Sequence, residues 1–255
     1  MTQLRPIGTL LYADPDGLLR RCAKPPAPIW APILKELIEK LHAHYGDALV
    51  SIALRGSVAR GMDVVGVSDL DLVVFLNGRS DGLNLHSALM PDLPIEVAVV
   101  DAATFPHGAS GDWMAFTLAL SGWHIHGDDF IADLPPPHLG QHAMGHLPRA
   151  DRWLAKWSVY WVEEPEDADR QDICQWLMKR IVRSLMESQM IRLNAYSRDI
   201  YPCAKVAADA FPAHQTAIWK AAECAIAPTT NHEEIAAIVA DLAPVLLREQ
   251  AVLSS

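Results

Sequence analysis

Asp69 and Asp71 stand one residue apart at the head of an apolar run, LDLVVFL, that reads as a β-strand. Side chains alternate along a strand, so the two carboxylates share a face while Leu70 turns into the core. Carboxylates held close together repel until a cation neutralises them. Oxygen ligands of this kind suit a hard divalent ion such as Mg²⁺. Upstream, Gly56-Ser57 closes a second apolar run over residues 50–54. Glycine lets backbone come close to a ligand. Ser57 offers a hydroxyl and an N–H at the start of a short turn, where phosphate is favoured. Arg60 lies in the same turn and is a further phosphate contact. The stretch therefore reads as a phosphate cradle facing a metal-binding carboxylate pair, a site for a Mg-nucleoside triphosphate.

A third strand over 95–100, IEVAVV, follows Pro94 and carries Glu96. Gly56-Ser57, a spacer, Asp69-x-Asp71 and this later strand-borne acid occur in the order that marks the DNA polymerase beta-type nucleotidyltransferase superfamily, which the chain resembles. The fuller string, RGSVARG…GVSDLDL, is similar to stand-alone bacterial nucleotidyltransferases with a helical C-terminal domain, such as the aminoglycoside adenylyltransferases. The resemblance implies transfer of a nucleoside monophosphate, AMP from ATP, to an acceptor hydroxyl. Asp69 and Asp71 would hold two Mg²⁺ ions, one polarising the α-phosphate and one neutralising the departing pyrophosphate. Glu96 has two readings: third metal ligand, or the general base that takes the acceptor's proton, for which glutamate's longer arm is suited. Asp101, five residues on, falls on the opposite face of its strand and is the weaker candidate.

Elements must place these groups. Ile33, Leu34, Leu37, Ile38 and Leu41 have helical period, and the helix they predict ends near Tyr45-Gly46. Strands are expected over 48–54 and 70–76, with a short helix over 57–62 between them. Helices follow over 83–90 and 112–120, and an edge strand over 123–126. Pro135-Pro136-Pro137 reads as a linker. Beyond it the chain turns helical: a stripe of Trp153, Trp157 and Trp161, a long helix over 169–194, and further helices near 204–224 and 233–249. The fold class is thus α+β, with a nucleotidyltransferase-type mixed sheet and its helices in a domain over 1–135, followed by an α-helical bundle over 138–255.

In the bundle, Lys179 and Arg183 are four residues apart on one helical face, beside Arg180. They read either as a solvated basic stripe, with Arg183 paired to Glu187, or as a clamp on the β- and γ-phosphates, a use that the resemblance implies. Tyr196 and Arg198 follow the same helix as candidate nucleotide or acceptor contacts. His138, His142 and His146 recur every four residues, but Gly140 and Gly145 weaken a helix there, and they read as surface or linker histidines. The tryptophan stripe reads as bundle core.

A net charge of −10 over 255 residues argues against extended nucleic-acid binding and accords with a small cationic acceptor, ahead of a protein or RNA end. The four cysteines lack metal-ligand spacing and read as reduced thiols. No apolar run approaches the ~20 residues of a membrane span. A cytoplasmic enzyme is the expectation. The competing class is a catalytically silent MgATP-binding regulator or an antitoxin-like partner protein. The length of the helical half argues against the antitoxin, and the intact Ser57, Asp69, Asp71 and Glu96 set against the regulator.

Overall fold

The computed structural model describes residues 4–63, 69–78, 95–106, 111–163 and 166–253. The helix expected over 83–90, and the Gly66–Ser68 part of the motif, lie outside these residues. The chain forms two compact units: residues 18–138, and residues 139–255 together with 1–17.

The first unit is built on a four-stranded mixed sheet. Helix α1 (Ala31–Tyr45) starts with proline in its first turn and is followed by Gly46 at φ +53°. Strand β2 (Leu49–Leu54), preceded in chain order by the short β1 (Leu11–Tyr12), pairs antiparallel with β3 (Leu70–Leu76). Strand β4 (Ile95–Asp101) lies parallel to β3, and β5 (Trp123–Gly127) runs antiparallel to β2 at the sheet edge, giving the order β4-β3-β2-β5. The central strands are apolar on both faces because both are covered. Ile52, Leu54, Leu72 and Val74 pack with Leu34, Leu37 and Leu41 of α1. Ala53, Val73 and Phe75 pack on the other face with Leu118 of α2 (Gly111–Ser121) and with Ile131.

The second unit is helical. It comprises α3 (Ala150–Glu163), α4 (Asp167–Leu193), α5 (Ile200–Ala210), α6 (Gln215–Ile226) and α7 (His232–Leu253). Trp153, Trp157 and Trp161 are buried, and they share one core with Leu177, Ile181 and Leu185 of α4. The tryptophan stripe is therefore core. The helix expected near 204–224 is two helices, α5 and α6, interrupted at Phe211-Pro212, where proline can only begin a new helical turn. Asn194 ends α4 in the left-handed conformation, φ +48°. Its side-chain amide donates to the carbonyls of Ala13 and Asp14 at 3.1 and 2.8 Å. Strand β1 pairs with β6 (Ala195–Tyr196), which ties the N-terminal residues to the helical unit. Among the described residues, no helix is long and apolar enough to cross a membrane.

Candidate functional site

The acids of the sheet come together through register. In the parallel β3–β4 pair, Asp71 lies opposite Glu96. Both share a face with the residues that alternate after them, Val73 and Phe75 on β3 and Ala98 and Val100 on β4, which form the second core layer. Asp69 precedes β3 by one residue and is half-buried. The side chain of Asp71 is 14% exposed and that of Glu96 58%, so one carboxylate is sunk at the strand end and the other reaches solvent.

The Gly-Ser turn abuts this row directly. Gly56 adopts φ +74°, and a Cβ built on it would stand 1.9 Å from Asp71 Oδ2. Only glycine allows both the conformation and the approach. Ser57 leads into a 3-10 turn, Val58–Arg60, which closes at left-handed Gly61. Its Oγ is buried and has no hydrogen-bond partner among the described residues. A buried hydroxyl without a partner is unusual in a protein interior and suits a position that waits for a ligand. Arg60 folds back, its Nε donating to the Gly56 carbonyl at 3.1 Å, so it braces the turn.

Arg55, to which the sequence reading assigned no role, completes the row. Leu54 pairs with Leu72, and the Arg55 N–H donates to the Asp71 carbonyl at 3.0 Å, which continues the ladder by one residue. Across β2, β3 and β4 the order at this level is therefore Arg55, Asp71, Glu96. The Arg55 Nη2 lies 3.5 Å from Asp71 Oδ1 and hydrogen-bonds Glu96 Oε1. The available signal was alternation: Arg55 follows Ala53 by two residues and so points to the same face. What local sequence lacked was the register.

Among the described residues, no three His, Cys, Asp or Glu side chains converge into a preformed metal site. The chemistry of the donor set nevertheless fits a hard divalent ion. It offers carboxylate oxygens from adjacent strands on one face, beside an unpartnered hydroxyl and a glycine cradle that any side chain would fill.

The candidates in the helical unit are engaged within it. Lys179 Nζ donates to Gln175 Oε1 at 2.9 Å, and Arg180 lies over the Trp176 ring, 4.6 Å from its centroid. Arg183 Nε donates to the Arg198 carbonyl at 3.0 Å. The partners of Glu187 are backbone groups: it accepts N–H bonds from Gly145, His146 and Leu147 at 2.9, 3.0 and 2.7 Å. Tyr196 is 5% exposed, and burial pushes its phenol up to about 12, so it stays protonated at neutral pH. Of the three spaced histidines, His138 and His142 are exposed, but His146 is buried, which corrects its reading as a surface or linker residue. Burial, followed by the charges of Arg198, Arg183, Arg180 and Arg149, holds His146 well below the usual imidazole range. Burial also raises Glu187, against the opposing effect of its N–H bonds and of Arg198.

No family model and no curated protein matches this chain. A solved structure does. The chain is similar to a spectinomycin adenyltransferase, AAD(9), from Enterococcus faecialis, whose crystal structure was determined with ATP and spectinomycin. The similarity has a TM-score of 0.53 at 16% identity and covers 84% of this chain and 97% of that one. At this identity it shows a shared fold, that of an adenyltransferase.

Proposed function

We propose that the chain is a nucleotidyltransferase that moves AMP from MgATP to a hydroxyl of a small-molecule acceptor. The observation that carries the reading is the contact of the Gly56 backbone with the Asp71 carboxylate, in a strand pair that sets Asp71 opposite Glu96. It brings the Gly-Ser turn against an acidic row, which a structural role alone does not require. The adenyltransferase fold supports the same chemistry, and ATP and spectinomycin are the compounds present in that related structure.

In this reading the Gly56-Ser57 backbone and the Ser57 hydroxyl bind the triphosphate, with Arg60 holding the turn in shape. Asp69 and Asp71, with Glu96, are the residues that would hold two Mg²⁺ ions. When bound, these would neutralise the phosphates and polarise the α-phosphorus. The acceptor hydroxyl attacks that phosphorus and pyrophosphate leaves. In the alternative to metal ligation, the solvent-facing carboxylate of Glu96 takes the hydroxyl proton.

Calorimetry with MgATP on wild type and Asp71→Asn, followed by pyrophosphate release with pooled hydroxylic acceptors, tests this. Wild type should bind MgATP and release pyrophosphate only when an acceptor is added. Asp71→Asn should lose about a hundredfold or more of that rate, as expected when preorganised electrostatic stabilisation is removed. Failure of wild type to bind any nucleoside triphosphate with Mg²⁺ or Mn²⁺ would sink the reading.

A further inference from the structure

Arg55 has no task in the chemistry proposed above, yet it is the cation built into the acidic row. Its side chain is 12% exposed, and one terminal nitrogen serves both Asp71 and Glu96. Its Nε is buried and has no hydrogen-bond partner among the described residues. A guanidinium settled permanently between carboxylates normally uses its fork, two parallel N–H groups on one carboxylate. Here one nitrogen is shared between two acids and another donor is left over. That is sufficient to neutralise the row and poor as a final arrangement.

We propose that Arg55 is a resident placeholder for the divalent cation. It holds Asp71 and Glu96 together while no metal is bound and yields Glu96 when metal arrives with the nucleotide. The inference rests on the metal–phosphate reading of the site. Its physical basis is charge. Two carboxylates in register repel unless a cation lies between them. A fixed positive charge beside them disfavours a free divalent ion entering alone. The triphosphate changes the balance, because it brings negative charge and new acceptor oxygens that a guanidinium can take in exchange for Glu96. Metal binding should therefore be weak without nucleotide and strong with it. The exposed carboxylate, Glu96, is the one free to exchange partners, whereas Asp71 is sunk against Gly56.

Mn²⁺ serves as the probe, with the free ion counted by electron paramagnetic resonance and with melting followed in parallel. Four full-length proteins are compared with and without ATP: wild type, Arg55→Gln, Arg55→Lys and Asp71→Asn. Without nucleotide, Arg55→Gln should bind Mn²⁺ about tenfold more tightly than wild type, since a repelling charge within a few ångströms is gone. Its metal-free form should melt lower than wild type, and Mn²⁺ should raise its Tm more. Should Arg55→Gln fail to fold, Arg55→Lys keeps the charge and apolar stem but not the shared contact, and a gain of about threefold is expected. Equal or weaker Mn²⁺ binding by the folded Arg55 variants overturns the placeholder role. The two readings fail separately. Mn²⁺·ATP binding by wild type that Asp71→Asn abolishes upholds the nucleotide reading whatever Arg55 does. Gain of Mn²⁺ affinity in Arg55→Gln without any ATP binding upholds the placeholder and removes the nucleotide.

Discussion

Gly56 and Ser57 are adjacent, yet different forces constrain them. Gly56 is fixed by space and conformation together: positive φ, and the carboxylate of Asp71 where a Cβ would be. Gly56→Ala should cost about 2–3 kcal/mol from left-handed strain plus overlap. It should also cost on the order of a hundredfold in transfer rate, because the turn and Asp71 must move apart. Ser57 is the reverse case. Its hydroxyl is buried with no described partner, so Ser57→Ala removes an unmet polar group and should leave stability within about 0.5 kcal/mol. Its MgATP affinity should fall by roughly tenfold, the worth of a hydrogen bond to a charged group. A denaturant melt and a calorimetric titration on the same two variants separate these outcomes. Comparable stability losses in both would mean that the turn is merely structural.

At the level of elements, α4 acts as the post to which the chain after the proline run is pinned. Its buried Glu187 collects the N–H groups of Gly145, His146 and Leu147, three successive donors ahead of α3. Both carboxylate oxygens are used. A glutamine has one acceptor oxygen and turns an NH₂ toward the remaining donors. Glu187→Gln should therefore destabilise the protein by about 2–3 kcal/mol, despite its near-identical shape. Chemical denaturation would show this as a lower midpoint with an unchanged slope. An unchanged midpoint would mean that Glu187 is already protonated, with one oxygen sufficing, in keeping with the upward push from burial.

Across the molecule, acids outnumber bases and the net charge is −10. Acid response then depends on which carboxylates are held below their ordinary range. Glu234 is one: its hydrogen bond from Lys220 at 2.8 Å lowers it, and the same bond raises Lys220. The lowered Glu234 stabilises the fold above its ordinary value of 4.5, and that contribution is lost as pH falls through its lower folded value. The raised Lys220 stabilises below 10.5 and loses its contribution as pH rises through its higher folded value. The bridge is therefore fully present across the neutral range. Lys220→Met should lower stability by less than about 1 kcal/mol at pH 7, because the pair is partly solvent-exposed. Its effect should shrink as pH falls below 4.5 through the lowered folded value of Glu234, read from melts along an acid series. A loss that stays constant down the acid series would assign the effect to packing.

The sequence by itself determined what depends on neighbours a few residues away. A continuous apolar run placed β3 at 70–76, and helical period placed α1 and the buried tryptophan face of α3. The types and order of Gly56-Ser57, Asp69, Asp71 and Glu96 named the chemistry to look for, because turn conformation and strand alternation are local properties. Tertiary structure decided what depends on pairing between distant segments. The parallel register that sets Asp71 opposite Glu96 spans 25 residues, and nothing within either strand specifies it. Arg55 joins the acidic row through the antiparallel pairing of β2 with β3. The attachment of residues 1–17 to the helical unit through β1 and β6, and the burial of His146 beside Glu187, likewise arise between segments far apart in the chain. A side chain's type and local direction are written in its own neighbourhood; its counter-charge and its access to water are set by whichever segments fold against it.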